Sequence, residues 1–168
     1  MFKPSAACRG AYNMTTNIRP VQEKDLPQLH HMICALAAHH GDVPDINPSH
    51  LARDVLGRIP WFHVFVAAGE GACLHGHTAL LPRGQLQMGI RGMDMHHLFV
   101  REGHRGNGIG CALHNTAITH CKNLGCHGMT VGTHPNSAEA AAFYERRGFI
   151  RRDGSSPRFR MTLDQPPT

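Results

Sequence analysis

The six residues Arg105-Gly106-Asn107-Gly108-Ile109-Gly110 carry the strongest chemical signal in the chain. Glycines at alternate positions remove the Cβ atoms that would hinder a tight turn or a ligand lying close to the backbone. A strand-like apolar run, residues 93–100, precedes them and a helix-like pattern, residues 108–124, follows. The turn therefore falls where a helix leaves its first N–H groups unpaired. Those donors and the positive end of the helix dipole favour an anion, above all a phosphate, and Arg105 adds charge at the same place. The spacing argues against two common phosphate loops. A dinucleotide fingerprint begun at Gly106 needs Gly or Ala where Cys111 stands, and begun at Gly103 it needs Gly where Arg105 stands. A nucleoside triphosphate loop finds Ile109 and Gly110 in place of its Lys and Ser or Thr.

Other residues can move protons. Histidine's ordinary pKa near 6.5 suits a general base, and His96 and His97 stand just ahead of the loop. On a regular strand they face opposite ways, so one of them lines any given cleft; a bulge would exchange them. Tyr144 offers a phenol with a pKa of about 10, protonated at neutral pH and able to donate, although its ring suits packing too. Fifteen histidines and six cysteines raise the question of a metal. Cys73, His75 and His77 share a face if their strand is regular, but the adjacent pairs His30-His31, His39-His40 and His96-His97 diverge, and no functional metal is expected. The cysteines, Cys8, Cys34, Cys73, Cys111, Cys121 and Cys126, include no C-x-x-C pair and read as reduced, buried thiols of a cytoplasmic protein.

The loop fits the pattern Gln or Arg, two residues, Gly, one residue, Gly or Ala. Downstream, HPNSAEAAAFYERRGF (134–149) ends in Tyr, three residues, Gly, Phe. In this order the two segments resemble the GNAT family of N-acetyltransferases, over residues 17–163, with some likeness to its diamine and polyamine branch in the N-terminal half. The resemblance implies an α/β single-domain fold: a mixed, mostly antiparallel central sheet flanked by helices, with strands four and five splayed apart. It implies acetyl-CoA as co-substrate, its diphosphate held by Arg105, Gly106, Asn107, Gly108, Ile109 and Gly110. Backbone groups of Leu98, Phe99 and Val100 would bind the pantetheine arm and the acetyl oxygen. Asn136 would contact the cofactor arm, and serves equally well as a helix cap. Tyr144 would protonate the leaving thiolate. His96 stands where related enzymes often place a glutamate that works through water, which makes it the candidate base. The implied reaction is direct attack by a primary amine in a ternary complex, a small-molecule amine being favoured. Alternatives are protein or peptide amines, or a catalytically silent acyl-CoA-binding module. Asp42 and Asp45, in the region that walls the family's acceptor site, are candidates for holding a cationic amine. Homodimers are common in the family.

The supporting elements must come from one domain: 168 residues with 41% hydrophobic content suffice for a single core. Residues 1–16 read as a poorly ordered extension, 17–163 as the domain and 164–168 as a tail. Net charge is +5, but with 6% aromatics and no Lys/Arg-dense run a nucleic-acid partner is not expected. No segment approaches the roughly 20 apolar residues that cross a bilayer, so no membrane partner is expected either. A strand is expected at 17–21. A helix capped by Asp25 follows, with Leu26, Leu29, Met32, Ile33 and Leu36 on its inner face and His30, His31, His39 and His40 solvated. A short helix starts at Ser49 and runs to Gly57. Strands at 61–68, 73–81 and 93–100 form an antiparallel meander with a turn at Pro82-Arg83-Gly84, while 86–92 is ambiguous. The helix at 108–124 carries a stripe of Ile109, Ala112, Leu113, Ala117, His120 and Leu124 and ends at Gly125. A strand at 128–134, a helix capped by Asn136 with Glu139 and stopped by Gly148, and a hairpin of 149–150 with 158–163 complete the layers.

Overall fold

Alternating apolar positions make most of these segments strands. The computed structural model describes residues 16–133 and 137–151. Among the described residues the sheet has five strands in sequential order: β1 (Asn17–Pro20), β2 (His63–Ala68), β3 (Leu74–Gln85), β4 (Ile90–Val100) and β5 (Gly128–Val131). Neighbours from β1 to β4 are antiparallel, as the meander predicts. β5 is parallel to β4 because a helix, α3 (Ile109–Asn123), carries the chain across. Strand β2 is buried on both faces. Val64, Val66 and Ala68 pack with α1 (Leu26–His40) and α2 (Pro48–Leu56), while Phe65 and Ala67 pack with α3 and α4 (Ala138–Glu145). The result is three layers, α1/α2, sheet, and α3/α4.

The inner face of α1 is as its spacing predicts, with Leu29 and Met32 fully buried and Leu26, Ile33 and Leu36 packed beside them. Its start is not. Asp25, 1% exposed, makes no side-chain cap. Its carboxylate instead accepts from Arg19 Nη1 and Nη2 at 2.6 and 2.9 Å and from the Gln22 N–H at 2.8 Å. A charge two residues into β1 outcompetes the helix's own donors. His30 is not simply solvated; it is half-buried and its Nε2 donates to the Ile46 carbonyl at 3.1 Å. Helix α2 is capped by Asn47, whose Oδ1 accepts from the Ser49 N–H at 2.8 Å, rather than by Ser49. Trp61 lies outside β2 because the N–H groups of Trp61 and Phe62 both close onto the Asp54 carbonyl, at 2.9 and 3.0 Å.

The β3–β4 hairpin is longer than expected. Pro82, Arg83 and Gly84 do not turn; they pair with Met93, Gly92 and Arg91, and the reversal comes at Leu86–Met88 and Gly89. Strand β2 has already ended opposite Leu80, so here β3 is an edge strand, the place in a sheet that tolerates proline. Helix α3 buries Ile109, Leu113, His114, Ala117 and Cys121. The face is rotated from the expected stripe: Leu124 is 39% exposed, and His120 sits half-buried with its Nε2 3.1 Å from His63 Nδ1. The N-cap position of α4 is Ser137, and the helix ends at Glu145 with Arg146 as its C-cap, short of the expected stop at Gly148, whose φ is +84°. Residues 149–150 form no strand. Asn136 and the expected 158–163 strand lie outside the described residues, as do the terminal segments 1–15 and 152–168. No helix among the described residues is long and apolar enough to cross a membrane.

Two irregularities in the ladders redirect side chains. Ala67 and Ala68 pair with Gly76 and Leu74, leaving His75 extra; Ala79 and Leu80 pair with His97 and Met95, leaving His96 extra. An extra residue reverses the alternation beyond it. Leu74 and His77 therefore share a face although they are three apart, and Cys73, His75 and His77 do not form the common face that a regular strand gives. Of the cysteines, Cys121 is buried and Cys73 is exposed, while Cys34, Cys111 and Cys126 are half-buried, so "buried thiols" describes them only in part.

Candidate active site

The glycine-rich loop has the geometry its composition suggests. β4 ends at Val100, one 3-10 turn spans Glu102–His104, and the chain enters α3 through Gly106 at φ +78° and Gly108 at φ +77°. A Cβ on Gly106 would meet nothing within 4 Å, so glycine is needed there for the left-handed torsion and not for space. Gly108 is the N-cap of α3 and, as a glycine, brings no side-chain cap to the N–H groups of the first turn. Arg105 folds back, its Nε donating to the Val100 carbonyl at 3.0 Å, and so ties the loop to the strand end. Further back, Arg101 Nε donates to the Leu74 carbonyl at 2.7 Å and the His104 ring stacks on His75, 3.8 Å between centroids. The loop is thus pinned to β3 on one side and opens at the helix start.

Next to it the sheet parts. The β4–β5 register runs from Gly92 with Gly128 to Met95 with Val131 and stops. From His97 onward β4 keeps its partners on β3, Ala79 to Gly76, but has none on β5. Leu98, Phe99 and Val100 therefore carry main-chain groups on an edge that no strand among the described residues covers, next to the loop. Leu98 and Val100 pack toward Ile109 and Leu113, and Phe99 packs on the opposite face with the α1 side of the core.

The histidine pair departs from the expectation. Because His96 is the extra residue in the ladder, His96 and His97 both line one pocket, of about 430 Å³, between α1, α2 and the sheet. Their rings stack at 4.5 Å. Burial, with help from His96 and His40, pushes the His97 pKa down to about 4. Asp45 lines the same pocket; Asp42, exposed in the turn after α1, is not among its lining residues. Sequence reasoning weighed His77 only as a metal ligand and missed its place in this pocket. It is 0% exposed, lines the pocket, and has no hydrogen-bond partner at Nδ1 or Nε2 among the described residues. Burial drives its pKa down to about 3. Only a correct register for both ladder irregularities would have placed it beside His97.

Tyr144 reaches the sheet from the other face, in a cluster with Met93, Met95, Ala117 and Cys121. Its ring meets Phe143 and Phe149 edge-on at 5.2 and 5.4 Å. Burial raises its pKa to about 12, so the phenol stays protonated at neutral pH. His96 and Tyr144 thus flank β4 from opposite faces, and the open edge beyond Met95 lies between them.

Comparison with known proteins agrees with this geometry. The acetyltransferase (GNAT) family model matches residues 32–149, more than half of the chain. No curated protein sequence matches. Among solved structures, the ribosomal-protein-alanine N-acetyltransferase of Brucella melitensis biovar Abortus 2308 is similar with a TM-score of 0.68 at 18% identity, over 87% of this chain and 99% of that one. The aminoglycoside acetyltransferase meta-AAC0020 from an uncultured soil metagenomic sample, solved with sisomicin, gives 0.71 at 20% identity, over 90% and 99%. At these identities the structural likeness carries the fold. Loop, parted strands and family match together place this chain in the GNAT family of acetyltransferases, enzymes that use acetyl-CoA as co-substrate.

Proposed function

We propose that the protein transfers the acetyl group of acetyl-CoA to the primary amine of a small molecule, by direct attack in a ternary complex. The observation that carries this is the parting of β4 from β5 after Met95 and Val131, beside the glycine-capped start of α3 and between the two faces that hold His96 and Tyr144. The first-turn amides and the turn from Arg105 to Gly110 hold the diphosphate. Main-chain groups of Leu98, Phe99 and Val100 hold the pantetheine arm, and one N–H faces the acetyl oxygen as charge develops on it. Asn136 contacts the arm. An alkylammonium must lose a proton before it attacks; His96 takes that proton, directly or through water. The amine nitrogen bonds to the acetyl carbon, the carbon–sulfur bond breaks, and the Tyr144 phenol gives its proton to the thiolate. No nucleic acid or membrane takes part.

A thiol-release assay with acetyl-CoA against small amines and peptides with free N-termini tests this reading. Turnover of a small amine is the expected result. Turnover of peptides alone would move the acceptor to protein amines, and CoA binding without any thiol release would make the protein a binding module.

A further inference from the structure

The acceptor's chemical class can be read from the pocket, given the acetyl-transfer reading above. Half of its lining residues are aliphatic, and one side is a run of rings. Phe62 lies 5.5 Å from His96, His96 lies 4.5 Å from His97, and His97 lies 5.7 Å from His77. The His96 end adjoins the point where β4 leaves β5, so the reacting nitrogen belongs there and the rest of the acceptor lies along the rings. Charge is scarce. Of the two carboxylates on the lining, Asp54 is held by Arg53 at 2.7 Å, and Asp45 is on the exposed loop. A single ammonium can be matched by one free carboxylate and by ring faces. A second or third ammonium, as in a polyamine or an aminoglycoside, would lie among aliphatic side chains, the Arg53 cation and the neutral His77 and His97 rings without a counter-ion. At the floor, His77, 0% exposed, has one ring donor and one ring acceptor that no group among the described residues uses.

We infer that the acceptor is an arylalkyl monoamine whose aromatic body lies on the Phe62–His96–His97 wall and whose uncharged polar substituent, such as a hydroxyl, hydrogen-bonds His77. His77 is then the residue that sets specificity. It touches the substituent and takes no part in proton transfer.

The test uses the full chain with phenylethylamine, tyramine, linear diamines and triamines, and an aminoglycoside. Calorimetry reads amine binding to the CoA-loaded protein and thiol release reads transfer. The inference expects tyramine and phenylethylamine to exceed the linear polyamines in kcat/KM by about tenfold or more, and tyramine to exceed phenylethylamine by about tenfold. His77→Leu should bring the tyramine to phenylethylamine ratio close to one. Should that variant fail to fold, the wild-type ratios decide alone. Preference for polyamines or the aminoglycoside, a tyramine to phenylethylamine ratio near one in the wild type, an unchanged ratio in folded His77→Leu, or no binding and no transfer with either aryl amine would each overturn it. Binding of tyramine without thiol release would leave the pocket assignment standing and remove the acetyl-transfer reading; thiol release with polyamines alone would do the reverse.

Discussion

Tyr144 can give a proton to a thiolate only while it holds one, and burial against Phe143 and Phe149 ensures this by raising the phenol to about 12. Replacing it with Phe keeps the packing and removes the proton. We expect Tyr144→Phe to lower kcat about 100-fold with the Kd for CoA unchanged, measured by steady-state kinetics and calorimetry. A parallel loss of CoA affinity, or no loss of kcat, would reduce Tyr144 to a packing residue. His96, exposed beside the parted edge of β4, is the proposed acceptor of the other proton. His96→Ala should lower kcat about 100-fold at neutral pH, and the deficit should shrink as pH approaches the amine's own pKa of about 10, where free amine is abundant. A deficit that stays constant with pH would argue against a base at this position.

At the scale of elements, the loop depends on two left-handed glycines and the first helix on one buried ion pair. Gly108→Ala places a Cβ at φ +77° and should cost about 1 kcal/mol in a urea melt, while weakening CoA binding because the α3 amides shift. Asp25→Asn leaves Arg19, whose side chain is 18% exposed, without its carboxylate and should cost about 3 kcal/mol. These elements also show what the sequence reveals and what it hides. Strand order, the loop and the helix after it were legible because periodicity, glycine spacing and the tyrosine-glycine-phenylalanine ending are local signals. The site's second half was not. That His96 and His97 share one pocket depends on a single extra residue opposite Ala79 and Leu80, and that His77 joins them depends on another near His75. Which residue of a strand is left over is decided by partner strands, and alternation along one strand cannot reveal it. Pro82-Arg83-Gly84 misled for the related reason that an edge position removes proline's usual penalty.

Across the whole molecule, two buried histidines make stability depend on acid. His77 and His97 are held neutral down to about 3 and about 4, whereas in the unfolded chain they protonate near the ordinary value of about 6.5. Between those limits the unfolded chain binds protons that the folded chain refuses. Stability should therefore fall as pH drops from about 6.5 toward 4, by up to about 1.4 kcal/mol per pH unit for each histidine. Asp25 acts lower. Its hydrogen bonds to Arg19 hold its pKa below the usual carboxylate range, so its contribution is intact above about 4 and is lost as pH falls further. Urea melts across pH 4 to 7 should show the first slope, and His77→Leu should reduce it by about half, leaving the His97 share; a flat wild-type profile would mean that water reaches these rings. The account as a whole is tested most directly by a crystal structure with acetyl-CoA bound. It predicts diphosphate oxygens on the amides between Gly106 and Cys111, and the thioester in the opening beyond Met95 and Val131, with His96 on one side and Tyr144 on the other. A cofactor bound elsewhere, or β4 and β5 paired through Val100, would contradict it.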